Sequence, residues 1–153
     1  MINNIIVKED LEAIHKTIHS KGDWKNATLL ITGCAGFLGF YFMQYFAKYG
    51  SELGIKKIIG LDNFMLGKPS WLMSLVKNYK NLVDLKTFDI SVDDISKIKG
   101  AKTVRYVIHA ASIASPLFYR KFPIKTIEAN IWGLKNILEF YKKSKDLKGM
   151  LFF

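Results

Sequence analysis

Cysteine is nearly absent from this 153-residue chain. Cys34 is the only one, which rules out an internal disulfide and a cysteine-based zinc site. Prolines number three, Pro69, Pro116 and Pro123, so long stretches run without a helix breaker. No arginine-rich run occurs. Apolar stretches are interrupted by charges and glycines before they reach the roughly 18 residues of a spanning helix, and residues 1–25 carry too much charge for a signal peptide. These absences lead us to expect a soluble, cytoplasmic protein. Half of the residues are hydrophobic and 14% aromatic, which argues against disorder and suits one domain with a sizeable core. The net charge of +10 comes mostly from scattered lysines, with a denser group at Lys142, Lys143, Lys145 and Lys148. Such scatter reads as a solvated surface that attracts anions rather than as a nucleic-acid interface.

The informative presence is Gly33-Cys34-Ala35-Gly36-Phe37-Leu38-Gly39. Before it, Thr28–Thr32 is short, apolar and partly β-branched, as a parallel strand buried on both faces should be. After it, an aromatic-rich run continues to Gly50, which fits a largely buried helix. Strand, glycine turn and helix form the context of a dinucleotide pyrophosphate site. Gly33 makes the tight turn, Gly36 opens the backbone to phosphate and Gly39 lets helix and strand approach. The head of the helix contributes partial positive charge. Cys34 fits here as a small side chain. Lys56–Asp62 reads as a second buried strand ending in an acid, whose carboxylate suits ribose hydroxyls and repels a 2′-phosphate, so NAD is expected over NADP.

The rest of the chain alternates. Residues 1–27 form a lead-in whose amphipathic helix places Leu11, Ile14 and Ile18 on one face near Trp24; His15 and His19, four apart, have no third ligand in view and are expected to face solvent. No metal site is expected. Pro69 opens a helix carrying Trp71, Leu72, Leu75 and Val76. Leu82–Phe88 is a third strand, Val92–Ile98 a short helix stopped at Gly100, and Val104–His109 a fourth strand. A long loop with Pro116 and Pro123 leads to a helix over about 124–145, and Gly149 begins a fifth strand that is cut short at Phe153. This order predicts an α/β, doubly wound parallel sheet with right-handed crossovers, occupying 28–153.

Thr32–Gly39, Asp62-Asn63-Phe64, Asp89-Ile90, His109-Ala110-Ala111-Ser112 and Asn130 together resemble the extended short-chain dehydrogenase/reductases, a Rossmann family, and within it the nucleotide-sugar epimerases and dehydratases. His109–Pro116, with Tyr119, Thr126 and Asn130, is especially similar to UDP-glucuronate decarboxylases. The resemblance implies an NAD site. Gly33, Gly36, Phe37, Leu38 and Gly39 would line its phosphates, and Asp62, Asn63, Phe64, Gly67 and Lys68 its adenosine ribose. Asp89 and the Ile90 backbone would meet adenine, and Ala110, Ala111, Ser112 and Asn130 would lie on the nicotinamide side. Ser115, Pro116 and Tyr119 would face the sugar. Leu66, ahead of Gly67-Lys68, departs from the hydroxylated residue of the decarboxylases. The resemblance further implies a nucleotide-sugar substrate, a homodimer for the complete protein, and chemistry through hydride transfer to NAD. The family's catalytic Ser/Thr and Tyr-x-x-x-Lys are expected beyond Phe153, so no catalytic residue is assigned here and the 153 residues alone are expected to be inactive. Tyr141-Lys142-Lys143-Ser144-Lys145 has the right spacing but precedes the fifth strand instead of following it, so it is read as a chance match. A stand-alone dinucleotide-binding module and a basic nucleic-acid-binding domain are the alternatives; physiological salt would disfavour the latter.

Overall fold

Thr28–Thr32 forms β1, with every residue buried. In the computed structural model, which describes residues 4–18 and 22–153, this strand is the centre of a five-stranded parallel sheet. Its companions are β2 (Lys57–Asp62), β3 (Val83–Thr87), β4 (Tyr106–His109) and β5 (Gly149–Phe152), in the spatial order β3-β2-β1-β4-β5. Register runs Thr32 opposite Leu61 on one side and His109 on the other, so the ends of three strands finish level. Alternation along the strands divides the core in two. Leu29, Ile31, Ile58 and Ile108 pack on one face, while Leu30, Ile59, Leu61 and Val107 pack on the other.

The first face is covered by α1 (Ile5–Ile18), α2 (Phe37–Tyr49) and α3 (Ser70–Asn78). In α1 the docking face differs from the expected one. Val7 and Leu11 are buried and Ile18 packs at the margin, but Ile14 is exposed. One residue further on, His15 turns inward, so the expectation that it faces solvent is corrected. Its ring stacks on Tyr49 at 3.9 Å between centroids, and its nitrogens lie 3.2 Å from the Tyr45 hydroxyl and 2.9 Å from Glu52. His15 lies at the edge of the arc that Val7, Leu11 and Ile18 share, and there the aromatic surface of α2 gives an imidazole a better seat than solvent. His19 lies outside the described residues.

The second face is covered by two short 3-10 turns, Ile95–Lys97 and Ala101–Thr103, and by the helical segment after β4. The expected helix over 92–98 is thus reduced to one turn, capped by the Asp94 carboxylate accepting from Ser96 N–H. Asp93 turns back toward Asp89, its carboxylate accepting from Asp89 N–H at 2.7 Å and its N–H donating to the Asp89 carbonyl at 2.8 Å, so its partners lie ahead of the expected helix. The predicted loop around Pro116 and Pro123 is itself helical: α4 spans Pro116–Lys121 and α5 Pro123–Ile127, each with proline at its start. A π-helical segment, Glu128–Gly133, then leads into α6, Leu134–Tyr141. The single helix expected over 124–145 therefore carries a widened turn, and it ends four residues early.

Tyr141 closes α6 from inside the core. Its hydroxyl donates to the Ala101 carbonyl at 2.9 Å, and burial pushes its ionisation well above the ordinary tyrosine value. Tyr141→Phe should lower stability by about 1 kcal/mol, because it leaves a buried carbonyl unpaired, and should leave ligand affinity unchanged. Denaturant melts and ligand titration of the two proteins check this, and a loss of ligand affinity with an intact fold would contradict it. Among the described residues no helix is long and apolar enough to cross a membrane.

Candidate functional site

The strand order reverses at β1, whose neighbours β2 and β4 lead away in opposite directions. At the carboxyl ends of the strands this leaves a crevice, the place where doubly wound sheets bind ligands. A cavity of about 300 Å³ lies there, running from Thr32, Gly33 and Ala35 through Asp62 to Asp89 and Ile90, with Ala110, Ala111 and Ser112 on its other wall.

The glycine turn is fixed by backbone proximity. Gly33 has φ +67°, and a Cβ on it would stand 2.4 Å from the Ala110 carbonyl oxygen. A Cβ on Gly39 would stand 2.3 Å from the Gly33 carbonyl oxygen. Gly36 is different: its Cβ would meet only that same oxygen, at 3.2 Å, and the residue lines the cavity. Thus Gly33 and Gly39 are required by the fold, whereas Gly36 keeps the cavity open. Phe40 N–H is the first of α2 to reach a helical partner, the Gly36 carbonyl at 2.9 Å. The N–H groups of Phe37, Leu38 and Gly39 therefore head the helix, as an anion site needs. Phe37 and Leu38 do not line the cavity themselves; both are exposed, Phe37 to 81%.

Asp62 is held at both oxygens. One accepts from Ala35 N–H at 2.9 Å and the other from Phe64 N–H at 2.8 Å. The carboxylate thereby ties the glycine turn to the end of β2, and each oxygen keeps a second acceptor position. Phe64, at φ +55°, does not line the cavity itself; it turns the chain so that Gly67 N–H meets its carbonyl and Met65–Lys68 come to the rim. Lys68 Nζ lies 4.7 Å over the Phe64 ring. Asp89 accepts from Ser91 N–H and Oγ and from Asn63 Nδ2. Partial burial alone would raise its carboxyl, but those hydrogen bonds and the nearby Lys125 charge outweigh it and hold the group below the ordinary carboxylate value. Cys34 sits buried behind the turn. Burial pushes its thiol far up, and Asp62 adds to the effect, so the group is not a nucleophile.

Of the residues read from the sequence, Gly33, Gly36, Asp62, Asn63, Gly67, Lys68, Asp89, Ile90, Ala110, Ala111 and Ser112 converge on the one cavity. Asn130 does not; its amide donates to the Thr126 carbonyl one turn back. Ser115, Pro116 and Tyr119 also lie off the cavity, at the start of α4. Sequence reading missed Thr32, Ser91, Ile113, Lys125 and Ala129 on its walls. Thr32 closes the strand before the glycines and was within reach; Lys125 was one lysine among many and carried no signal. Among the described residues no group of three His, Cys, Asp or Glu could hold a metal ion.

A parallel sheet with a crevice at its switch point and a glycine turn heading a helix defines a Rossmann-type nucleotide-binding domain. Residues 29–153 match the NAD dependent epimerase/dehydratase family, and the chain belongs to that family. It is 31% identical over 119 residues to UDP-glucuronic acid decarboxylase 1 of Arabidopsis thaliana, covering 78% of this chain and 24% of that protein. Among solved structures it is similar to the Bordetella bronchiseptica enzyme WbmF in complex with NAD+, with TM-score 0.67, 21% identity and coverage of 86% of this chain and 37% of that one. DesIV from Streptomyces venezuelae, a dTDP-glucose 4,6-dehydratase with NAD bound, gives TM-score 0.67 at 18% identity, over 80% of this chain and 38% of that one. The chain spans 24% to 37% of the length of the first curated relatives it matches.

Proposed function

We propose that this chain is the NAD-binding part of a nucleotide-sugar epimerase, dehydratase or decarboxylase that works by transient hydride transfer. The observation that supports this reading is the cavity itself, which the glycine turn, Asp62 and Asp89 line together. NAD fits the residues present. Gly36 leaves room that a Cβ would take, and the N–H groups of Phe37, Leu38 and Gly39 would hold the pyrophosphate. The free acceptor positions of Asp62, with Asn63, would take the adenosine ribose hydroxyls; a 2′-phosphate there would meet the carboxylate. Asp89 and the Ile90 backbone would meet adenine. Ala110, Ala111 and Ser112 would lie against the nicotinamide half, where small side chains leave space.

Bound NAD would accept a hydride from a sugar carbon and make the neighbouring position reactive. This chain's residues hold and orient it. The base that takes the sugar hydroxyl proton is expected elsewhere in the complete protein, because no tyrosine lines the cavity among the described residues and the Tyr141 hydroxyl is spent on Ala101. Ser115, Pro116 and Tyr119 would approach the sugar side from α4.

Calorimetric titration with NAD tests the assignment. Gly36→Val should lower affinity at least tenfold with little change in melting temperature, and Asp62→Ala should lower it by about tenfold, the value of one hydrogen bond to a charged group. NAD affinity unchanged in both variants would overturn the reading.

A further inference from the structure

We propose that Asn136, a residue that does not touch the cavity, is the positioning residue for its adenine end. The segment after β3 that forms this end, residues 88–94, belongs to no strand or long helix. It is secured internally by Asp89, whose carbonyl accepts from Val92 and Asp93 N–H. From β2 it receives the Asp62 carbonyl and the Asn63 amide. Across the sheet face its backbone is held by Asn136 of α6, whose Nδ2 donates to the Ile90 carbonyl at 3.0 Å and to the Ser91 carbonyl at 3.2 Å. One amide nitrogen carries two hydrogens, so a single side chain fixes two successive peptide groups.

Two further observations make this a positioning device. Gly133 precedes Asn136 by three residues on the same helix face, and a Cβ on it would stand 2.8 Å from Ile90 Cγ2. The helix therefore approaches this segment as closely as backbone permits, and the approach sets the reach of Asn136. The Ile90 N–H has no acceptor among the described residues. Holding the Ile90 and Ser91 carbonyls toward α6 fixes the plane of the chain around that free N–H. It then stands ready, with the Asp89 carboxylate, for the paired donor and acceptor edge of an adenine ring.

The inference rests on the NAD reading given above, and its test separates the two. Titrate the wild-type chain and Asn136→Leu with NAD and with nicotinamide hypoxanthine dinucleotide, in which a 6-oxo group replaces the adenine amino group and N1 carries a hydrogen, so that donor and acceptor are exchanged along the edge. The wild type should prefer NAD by at least tenfold, since both hydrogen bonds of the edge are lost with the hypoxanthine base. In Asn136→Leu that preference should fall toward one, through loss of NAD affinity, while the hypoxanthine dinucleotide changes little. A merely structural role would weaken both ligands equally and leave the ratio unchanged, which would overturn the proposal, as would a wild-type ratio near one. Asn136→Ser, too short to span both carbonyls, gives the same comparison should leucine unfold the chain. If the wild type binds neither dinucleotide, the NAD reading fails. Hydrogen exchange at residues 90–93 then decides: faster exchange in the variant supports the clamp, and equal exchange overturns it.

Discussion

Adding one methyl group at Gly39 is expected to cost about 4 kcal/mol, a large share of the stability of a domain this size. The new Cβ would lie 2.3 Å from the Gly33 carbonyl oxygen and 2.7 Å from Cys34 Cα, and the three nearest atoms it meets are all backbone. Backbone cannot swing aside as a side chain does, so α2 must move off β1. Gly33→Ala should cost a similar amount for two reasons: its Cβ would strike Ala110 at 2.4 Å, and φ +67° is unfavourable for alanine by about 1 kcal/mol. Gly36→Ala, with a single contact at 3.2 Å, should cost less than about 1 kcal/mol. Urea denaturation of the three variants checks the ranking. Equal losses at all three positions would mean that the turn is not held in the way described.

Acid should unfold this protein through His109. The side chain is fully buried between β1 and β5: Nδ1 lies 2.6 Å from Thr32 Oγ1, the ring stacks on Phe152 at 5.4 Å, and Nε2 has no partner among the described residues. Burial lowers its pKa from 6.5 to about 4. The imidazole is thus neutral in the folded chain where the unfolded chain would bind a proton. Its neutrality costs nothing above pH 6.5; stability then falls as pH drops from 6.5 and levels off below about 4. At about 1.4 kcal/mol per pH unit, the loss approaches about 3 kcal/mol. His109→Asn, which keeps a polar atom near Thr32 and does not titrate, should flatten the stability curve across that window. Denaturant midpoints at pH 7, 5.5 and 4.5 measure both curves, and parallel curves would refute the assignment.

Gly39 and His109 stand at opposite ends of what a sequence can carry, since the glycine belongs to a local pattern and the buried ring acquires its surroundings only on folding. The strands are legible because burial on both faces demands continuous apolar runs, as in Thr28–Thr32 and Lys57–Asp62. The glycine turn is legible because backbone crowding leaves no other residue at Gly33 and Gly39. The cavity residues Asp62, Asp89 and Ala110–Ser112 are legible because each lies at or just past a strand end. The segment after β4 is not, since the prolines that suggest a loop instead start α4 and α5, and a widened turn such as Glu128–Gly133 has no residue pattern of its own. The seat of His15 is hidden because its stacking partner, Tyr49, is distant in the chain and only the packing of α1 on α2 brings them together. Lys125 and Asn136 depend in the same way on where the last helices cross the sheet.

The bond from Ala35 N–H to Asp62 has a thermodynamic consequence. It lets the glycine turn reach its shape during folding, so that the entropy of ordering those residues is lost before any nucleotide arrives and subtracts nothing from a later association. Preorganisation of this kind makes complex formation a docking event with little rearrangement. Stability and affinity then share one hydrogen bond, and a chain weakened there should lose both together.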